Sequence, residues 1–187
     1  MRQKLLIWEA LFTLAVSIFG ALLHFGYRWS GKKLLVGLFS PINESTWEHL
    51  KMLFFPSCLF GILEYCAVGK NIVNFLAAKS VSILAGMSII VICFYTYTGI
   101  LGTHWLAADI LTFLLGVTCS SYLFLHLVHY KFFAPKAPLG AIALLAVLCA
   151  CFFIFTVSPP HIGLFRDPAT GDYGIKRSST HCPHPPE

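Results

Sequence analysis

The sequence predicts an all-α fold, a polytopic transmembrane helix bundle of about five spans. Hydrophobic residues make up 57% of its 187 residues and charged residues only 11%, whereas soluble domains have about 45–50% and about 25%. A soluble chain of this size could not hide so much apolar surface, because even a mid-sized domain leaves about 30% of its surface exposed. A lipid bilayer favours an apolar exterior, so the composition indicates a protein that crosses one.

Five stretches are apolar enough to cross a hydrocarbon core about 30 Å thick, which takes roughly 20 residues of helix. They cover residues 5–25, 49–68, 81–97, 105–128 and 139–157. A short amphipathic piece from Asn71 to Lys79 precedes the third. Together they predict a single transmembrane domain over residues 1–175, followed by a polar tail over 176–187 that we expect to be disordered.

An odd number of spans fixes which loops share a side of the membrane. The N-terminus, the second loop and the fourth loop lie on what we call the near face, and the first loop, the third loop and the C-terminal tail lie on the far face. Six of the 13 basic residues belong to the near face and seven to the far face. The positive-inside rule therefore gives no orientation.

The densest polar segment, Ser40 to Lys51, opens the second span at the far face. Ser45 followed by Glu48 predicts a helix N-cap with a capping box, and Trp47 would lie at the headgroup level. Glu44 and His49 stand four residues from Glu48 and Ser45 respectively, so one helix end offers two carboxylates and an imidazole.

The five-span topology brings further ionisable residues to the same face. The predicted far-face set is His24, Glu44, Glu48, His49, His104, Asp109, His161 and Asp167. Carboxylates and imidazoles are ligands for zinc, iron or manganese, and they also serve general acid–base catalysis. The spacing matches no ligand motif, so three alternatives stay open: a metal or catalytic site, a pocket for a small polar ligand, or simple capping with interfacial hydrogen bonds.

The candidate residues follow from these alternatives. Ligand binding is assigned to Glu44, Glu48, His49, His24 and Asp167. A divalent metal such as zinc would use His49, His24, His161 and Glu44, with Glu48 as the general base if the protein is an enzyme.

Two near-face features and one loop complete the set. Glu64 is interpreted as an interfacial residue, or alternatively as the inner relay of a polar path. His126 and His129 are three residues apart and favour headgroup contacts over a metal or haem site. The turn-forming run from Asp167 to Gly174 predicts an ordered loop that folds back as a lid.

The run from Pro41 to Lys51, with His24 before it and Pro56 after it, resembles an NES-x-WEH-x-K signature of small uncharacterised bacterial membrane proteins. The segment from His161 to Ile175 is similar to the closing element of that family. The resemblance implies a multi-pass protein of the bacterial cytoplasmic membrane and a pairing of the first loop with the tail. It implies no activity.

The leading hypothesis is therefore a membrane protein whose far face binds a metal ion or small polar ligand for transport or sensing. One alternative is a metal-dependent hydrolase acting on a lipid-like substrate, and another is a structural or accessory subunit. The expected partners are the lipid bilayer and the bound ion or ligand, and nothing resembles a nucleic-acid module. The sequence predicts neither an oligomeric state nor whether the chain is an enzyme.

Overall fold

The computed structural model describes residues 2–129 and 137–175, and these residues form a helical bundle. Its α-helices are α1 (Arg2–Trp29), α2 (Leu34–Gly37), α3 (Thr46–Ala67), α4 (Phe75–Leu101), α5 (Leu106–Leu127) and α6 (Ala137–Val157). Every helix except α2 is long enough and apolar enough to cross a membrane. The all-α, five-span fold class is confirmed, while the predicted disordered tail lies outside the described residues.

The third span begins earlier than the sequence indicated. Helix α4 starts at Phe75 rather than near Val81, so it takes in most of the piece expected to be a separate amphipathic segment. Lys79 was counted among the basic residues of the near-face loop, but its side chain is buried and paired with two carboxylates. A paired charge can lie inside a span, and hydropathy alone does not show the pairing.

The start of α3 confirms half of the predicted capping box. Ser45 Oγ accepts a hydrogen bond from the Glu48 backbone N–H at 3.4 Å. The reciprocal bond is absent, because Ser45 N donates to Asn43 Oδ1 and the Glu48 carboxylate accepts from Ile42 N instead. The Glu48 carboxylate instead forms an ion pair with a buried lysine, Lys51, about one turn further along the helix.

Helix α1 packs closely against α3 where Pro56 interrupts the hydrogen-bond ladder. Proline has no N–H, so the Met52 carbonyl four residues earlier loses its helical partner. A Cβ at Gly20 of α1 would stand only 2.5 Å from that carbonyl oxygen. The glycine therefore lets the α1 backbone lie directly against this carbonyl.

Helices α4 and α5 also cross at a pair of glycines. A Cβ on Gly86 would lie 2.7 Å from the Gly116 carbonyl oxygen, and one on Gly116 would lie 2.8 Å from the Gly86 oxygen. Small residues at a crossing allow the close backbone approach that replaces hydrophobic driving force between helices in lipid.

The far end of the bundle is closed by the first loop and the segment that follows α6. Asn43 Nδ2 donates to the Gly174 carbonyl at 3.2 Å, which joins the two segments as expected. Trp47 packs between Phe152 and Phe165, with ring centroids 4.7 Å and 5.0 Å away. The indole is thus held in an aromatic cluster, and this cluster fixes the helix start that carries the candidate site.

Candidate metal-binding site at the far face

Three of the predicted side chains meet at the far end of the bundle. His24 comes from the last turns of α1, Glu44 from the first loop and His49 from the first turn of α3. One potential ligand atom from each lies within 4.8 Å of the other two. We call this set the His/Glu cluster, and its geometry is that of residues able to share one metal ion.

His49 is oriented by the backbone of its own helix start. Its Nδ1 lies 2.9 Å from the Ser45 carbonyl oxygen, four residues earlier. A carbonyl can only accept, so Nδ1 carries a hydrogen, and Nε2 donates to Glu44 when the ring is protonated or offers its lone pair to a metal ion when the ring is neutral. Nε2 lies 3.4 Å from Glu44 Oε2. This is the arrangement by which proteins fix the tautomer of a metal-ligating histidine.

His24 approaches Glu44 from the other side. Its Nε2 lies 4.0 Å from Glu44 Oε1, and its ring is 5.2 Å from the His49 ring and 5.1 Å from that of Phe25. Nδ1 is buried and has no hydrogen-bond partner among the described residues. Ring packing, rather than a hydrogen bond, therefore sets the orientation of this imidazole.

Glu44 is half exposed and is held in its charged form. The hydrogen bond from His49 is the main reason that the pKa of this carboxyl lies below its ordinary value, and the positive charges of His49, His24 and Arg28 act in the same direction against partial burial. A carboxylate that is ionised at neutral pH can bind a cation without first releasing a proton.

A cavity of about 360 Å³ adjoins the His/Glu cluster. His24 and Glu44 form part of its wall. Arg28 and Lys32 bring two positive charges to it, and the lining also includes the carboxylates of Asp167 and Asp172. The loop from Asp167 to Gly174 borders the cavity on another side, in the position expected of a lid.

Glu48 is buried beside the His/Glu cluster but bonds to a different set of groups. Its Oε2 accepts from Lys51 Nζ at 2.6 Å and from Ile42 N at 3.0 Å. Lys51 Nζ also donates to the Gly37 carbonyl and to Thr156 Oγ1 of α6. This buried network ties α3 to α2 and α6, so the structure gives Glu48 structural partners, while its role as a general base stays a prediction.

The other predicted far-face residues occupy separate positions. Asp167 Oδ1 accepts from the backbone N–H groups of Ala169 and Thr170, which shapes the loop at the cavity rim. The exposed ring of His161 packs on Tyr173 at 4.6 Å and does not belong to the His/Glu cluster.

His104 and Asp109 form a second pair at the far face. His104 Nδ1 lies 3.4 Å from Asp109 Oδ2, and Tyr97 donates a short hydrogen bond to the same carboxylate. This pair joins the start of α5 to the end of α4. Neither residue belongs to the set of three that could share a metal, although Asp109 is near enough for its charge to act on His49.

The near-face candidates also differ from expectation. Glu64 is 1% exposed and contacts Lys79 inside the bundle, so its interpretation as an interfacial residue is wrong. His129 Nδ1 lies 2.8 Å from the Leu125 carbonyl, and the His126 ring stacks on Tyr122. Both of these partners, Leu125 and Tyr122, are residues of α5.

Sequence reasoning missed several groups around the site. Lys51 had an available signal, since it stands three residues after Glu48 on the same helical face. Thr156 had none, because a hydroxyl within an apolar span is ordinary there. Arg28 and Lys32 were counted only among the basic residues used to judge the membrane orientation, although they line the cavity.

A bundle of five span-length helices with a His/Glu cluster at one end defines the structural class as a multi-span helical protein with a candidate metal site. The chain belongs to a family of unknown function, DUF6512, whose model matches residues 2–175. No curated protein matches the chain, and no solved structure does. The membership agrees with the expected family without an assigned activity, while the tryptophan-containing signature and the bacterial origin stay predictions.

Proposed function

We propose that the chain is a multi-pass membrane protein that binds a divalent metal ion, zinc in the first instance, through His24, Glu44 and His49. The observation that carries this is the convergence of three ligand atoms within 4.8 Å from three separate segments. Five span-length apolar helices support the membrane location. Assignment to the bacterial cytoplasmic membrane rests on the sequence resemblance alone.

The spacing suits a tetrahedral ion. Ligands about 2.1 Å from zinc are roughly 3.4 Å from one another in tetrahedral geometry. The His49 Nε2 to Glu44 Oε2 distance is 3.4 Å, and the His24 Nε2 to Glu44 Oε1 distance is 4.0 Å. Small rotations of His24 and Glu44 would complete the set.

Two imidazoles and one carboxylate leave a fourth position for water or a ligand, as in catalytic zinc sites. That position would face the cavity bordered by His24 and Glu44. A closed structural site would need a fourth protein ligand, and the cluster has only three members among the described residues. We therefore propose a site that exchanges its metal ion or exposes it to a ligand in the cavity, rather than one that only stabilises the fold.

The test is the metal content of detergent-purified protein grown with zinc, measured by elemental analysis. His49→Asn is the informative variant, because Asn can still donate to the Ser45 carbonyl but has no atom at the Nε2 position. His161→Asn is the matched control, since it removes an imidazole from the same face outside the cluster. Glu44→Gln removes the charged ligand.

We expect near-stoichiometric zinc in the parent and in His161→Asn. His49→Asn and Glu44→Gln should each lose more affinity than the roughly 10–100-fold that follows loss of a group that merely orients a ligand. Equal zinc in all four proteins, or none in the parent, would contradict the proposal.

A hydrolase is the second candidate. Arg28 and Lys32 line the cavity together with the carboxylates of Asp167 and Asp172, and these two cations would hold an anionic group such as a lipid phosphate beside a metal-bound water. Release of headgroup from anionic lipid vesicles by zinc-loaded parent, lost in Glu44→Gln, would support this function. Zinc binding without any release of lipid headgroup would argue against the hydrolase and leave transport or sensing as the role of the ion.

A further inference from the structure

A second polar cluster lies at the other end of the bundle. Lys79 of α4 holds two carboxylates: its Nζ is 2.8 Å from Glu9 Oε2 of α1 and 2.7 Å from Glu64 Oε2 of α3. All three residues are at most 4% exposed. Glu9 stands seven residues after Arg2, which places it about 10 Å along α1 from its start.

Two aromatic rings flank the lysine nitrogen in this cluster. Its Nζ lies 3.7 Å from the Phe12 ring centre and 3.8 Å from that of Phe124. Aromatic faces attract an ammonium ion and offer nothing comparable to a neutral amine. Two carboxylates and two aromatic rings therefore surround one positive charge.

The charges do not balance if both carboxyl groups are ionised. One ammonium against two carboxylates leaves a surplus negative charge among three span-length helices, where an uncompensated charge is costly. Among the described residues, the charged or titratable groups that act on Glu64 are Lys79 and Glu9. From α5, the lysine nitrogen contacts the apolar ring of Phe124.

Unused oxygen atoms point to the missing partner. Glu9 Oε1 and both carboxyl oxygens of Glu64 are buried and have no hydrogen-bond partner among the described residues, although Glu64 Oε2 forms an ion pair with Lys79. In each carboxyl group, Oε2 is the oxygen that contacts Lys79. The two carboxyl groups are adjacent because they contact the same nitrogen. A proton on one of them would remove the surplus charge and supply a donor to a site that has only acceptors.

We propose that Glu9, Glu64 and Lys79 form a buried proton-binding site in which two carboxyl groups share one proton at neutral pH. The pattern is that of two adjacent carboxyls that cannot both ionise, here biased by a single lysine. The site is independent of the metal proposal, since it uses none of the His/Glu cluster and lies at the opposite end of the helices.

Infrared spectroscopy tests this, because a protonated carboxylic acid has a carbonyl stretch that a carboxylate lacks. The protein is compared in detergent at neutral pH as the parent, Glu9→Gln, Glu64→Gln and Lys79→Met. Glu44→Gln is the control, since it removes an ionised carboxylate from the far face. Spectra are taken in potassium buffer and repeated with sodium.

We expect the protonated band in the parent and in Glu44→Gln. Each single change at Glu9 or Glu64 should abolish it, because one carboxylate then matches one lysine. Lys79→Met should raise it to about twice the parent intensity, since neither carboxyl then has a counter-charge.

A parent spectrum that equals that of Glu64→Gln would overturn the proposal, and this comparison does not depend on the Lys79 variant folding. Absence of the band together with a melting temperature that rises with sodium would also overturn it, by assigning the surplus charge to a bound metal cation instead of a proton.

Discussion

The buried pair of Glu48 and Lys51 gives the sharpest energetic prediction. Lys51→Met removes three ammonium hydrogen bonds, to Gly37, Glu48 and Thr156, and leaves a carboxylate that is 2% exposed without its counter-charge. Breaking a buried pair from one side costs about 3–5 kcal/mol. Glu48→Gln keeps an acceptor for the lysine and loses only the charge, so we expect about 1.5–3 kcal/mol.

The double variant should be more stable than the sum of the single effects predicts. Glu48→Gln with Lys51→Met buries no unpaired charge, so its stability should return to within about 2 kcal/mol of the parent. The coupling energy of the cycle is then at least about 2.5 kcal/mol. Unfolding of the four proteins in mixed micelles with increasing sodium dodecyl sulfate measures it. Additive effects, within about 0.5 kcal/mol, would refute the assigned pairing.

The same variants separate a structural role of Glu48 from a catalytic or binding one. If its carboxylate serves only the network with Lys51, folded Glu48→Gln protein should bind zinc as the parent does. Loss of zinc from protein that is still folded would place Glu48 in the metal site and restore the role that the sequence suggested.

Two further predictions concern packing and pH. Gly20→Ala should lower the free energy of unfolding by about 1–3 kcal/mol, because its Cβ would stand 2.5 Å from the Met52 carbonyl oxygen. Gly140→Ala is the control, since a Cβ there meets nothing within 4 Å. Equal melting temperatures for the two variants would contradict the close approach of Gly20 to Met52. The hydrogen bond from His49 holds the pKa of Glu44 below its ordinary value of 4.5, so its stabilising contribution is fully present above about pH 4.5 and is lost as the pH falls through the lowered value. Unfolding titrations should show a steeper acid loss for the parent than for Glu44→Gln, and parallel curves would argue against the ion pair.

The fold could be predicted because it depends on signals that extend over whole helices. The five apolar stretches and the Ser45 cap each depend on residues that are close together in the sequence. The start of α4 was missed because Lys79 was counted as an exposed charge. Its partners, Glu9 and Glu64, are 70 and 15 residues away in sequence, and a hydropathy pattern contains no information on such pairing.

The His/Glu cluster could be anticipated from topology but not resolved. An odd span count brought His24, Glu44 and His49 to one face, and it brought His161 with them. Only packing decides which of these meet: His161 is held by Tyr173, whereas His49 is turned towards Glu44 by the Ser45 carbonyl. The side-chain directions that select ligands are set by contacts that spacing does not specify.

The most direct test of the metal proposal is X-ray absorption spectroscopy at the zinc edge on zinc-loaded, detergent-purified protein. The His/Glu cluster predicts two imidazoles, one carboxylate oxygen and one further oxygen, with zinc–nitrogen and zinc–oxygen distances near 2.0–2.1 Å. In His49→Asn one imidazole should disappear from the spectrum, and in His161→Asn none should. Sulfur in the coordination sphere, or a shell of water oxygens without imidazole, would contradict the assignment of this cluster as the metal site.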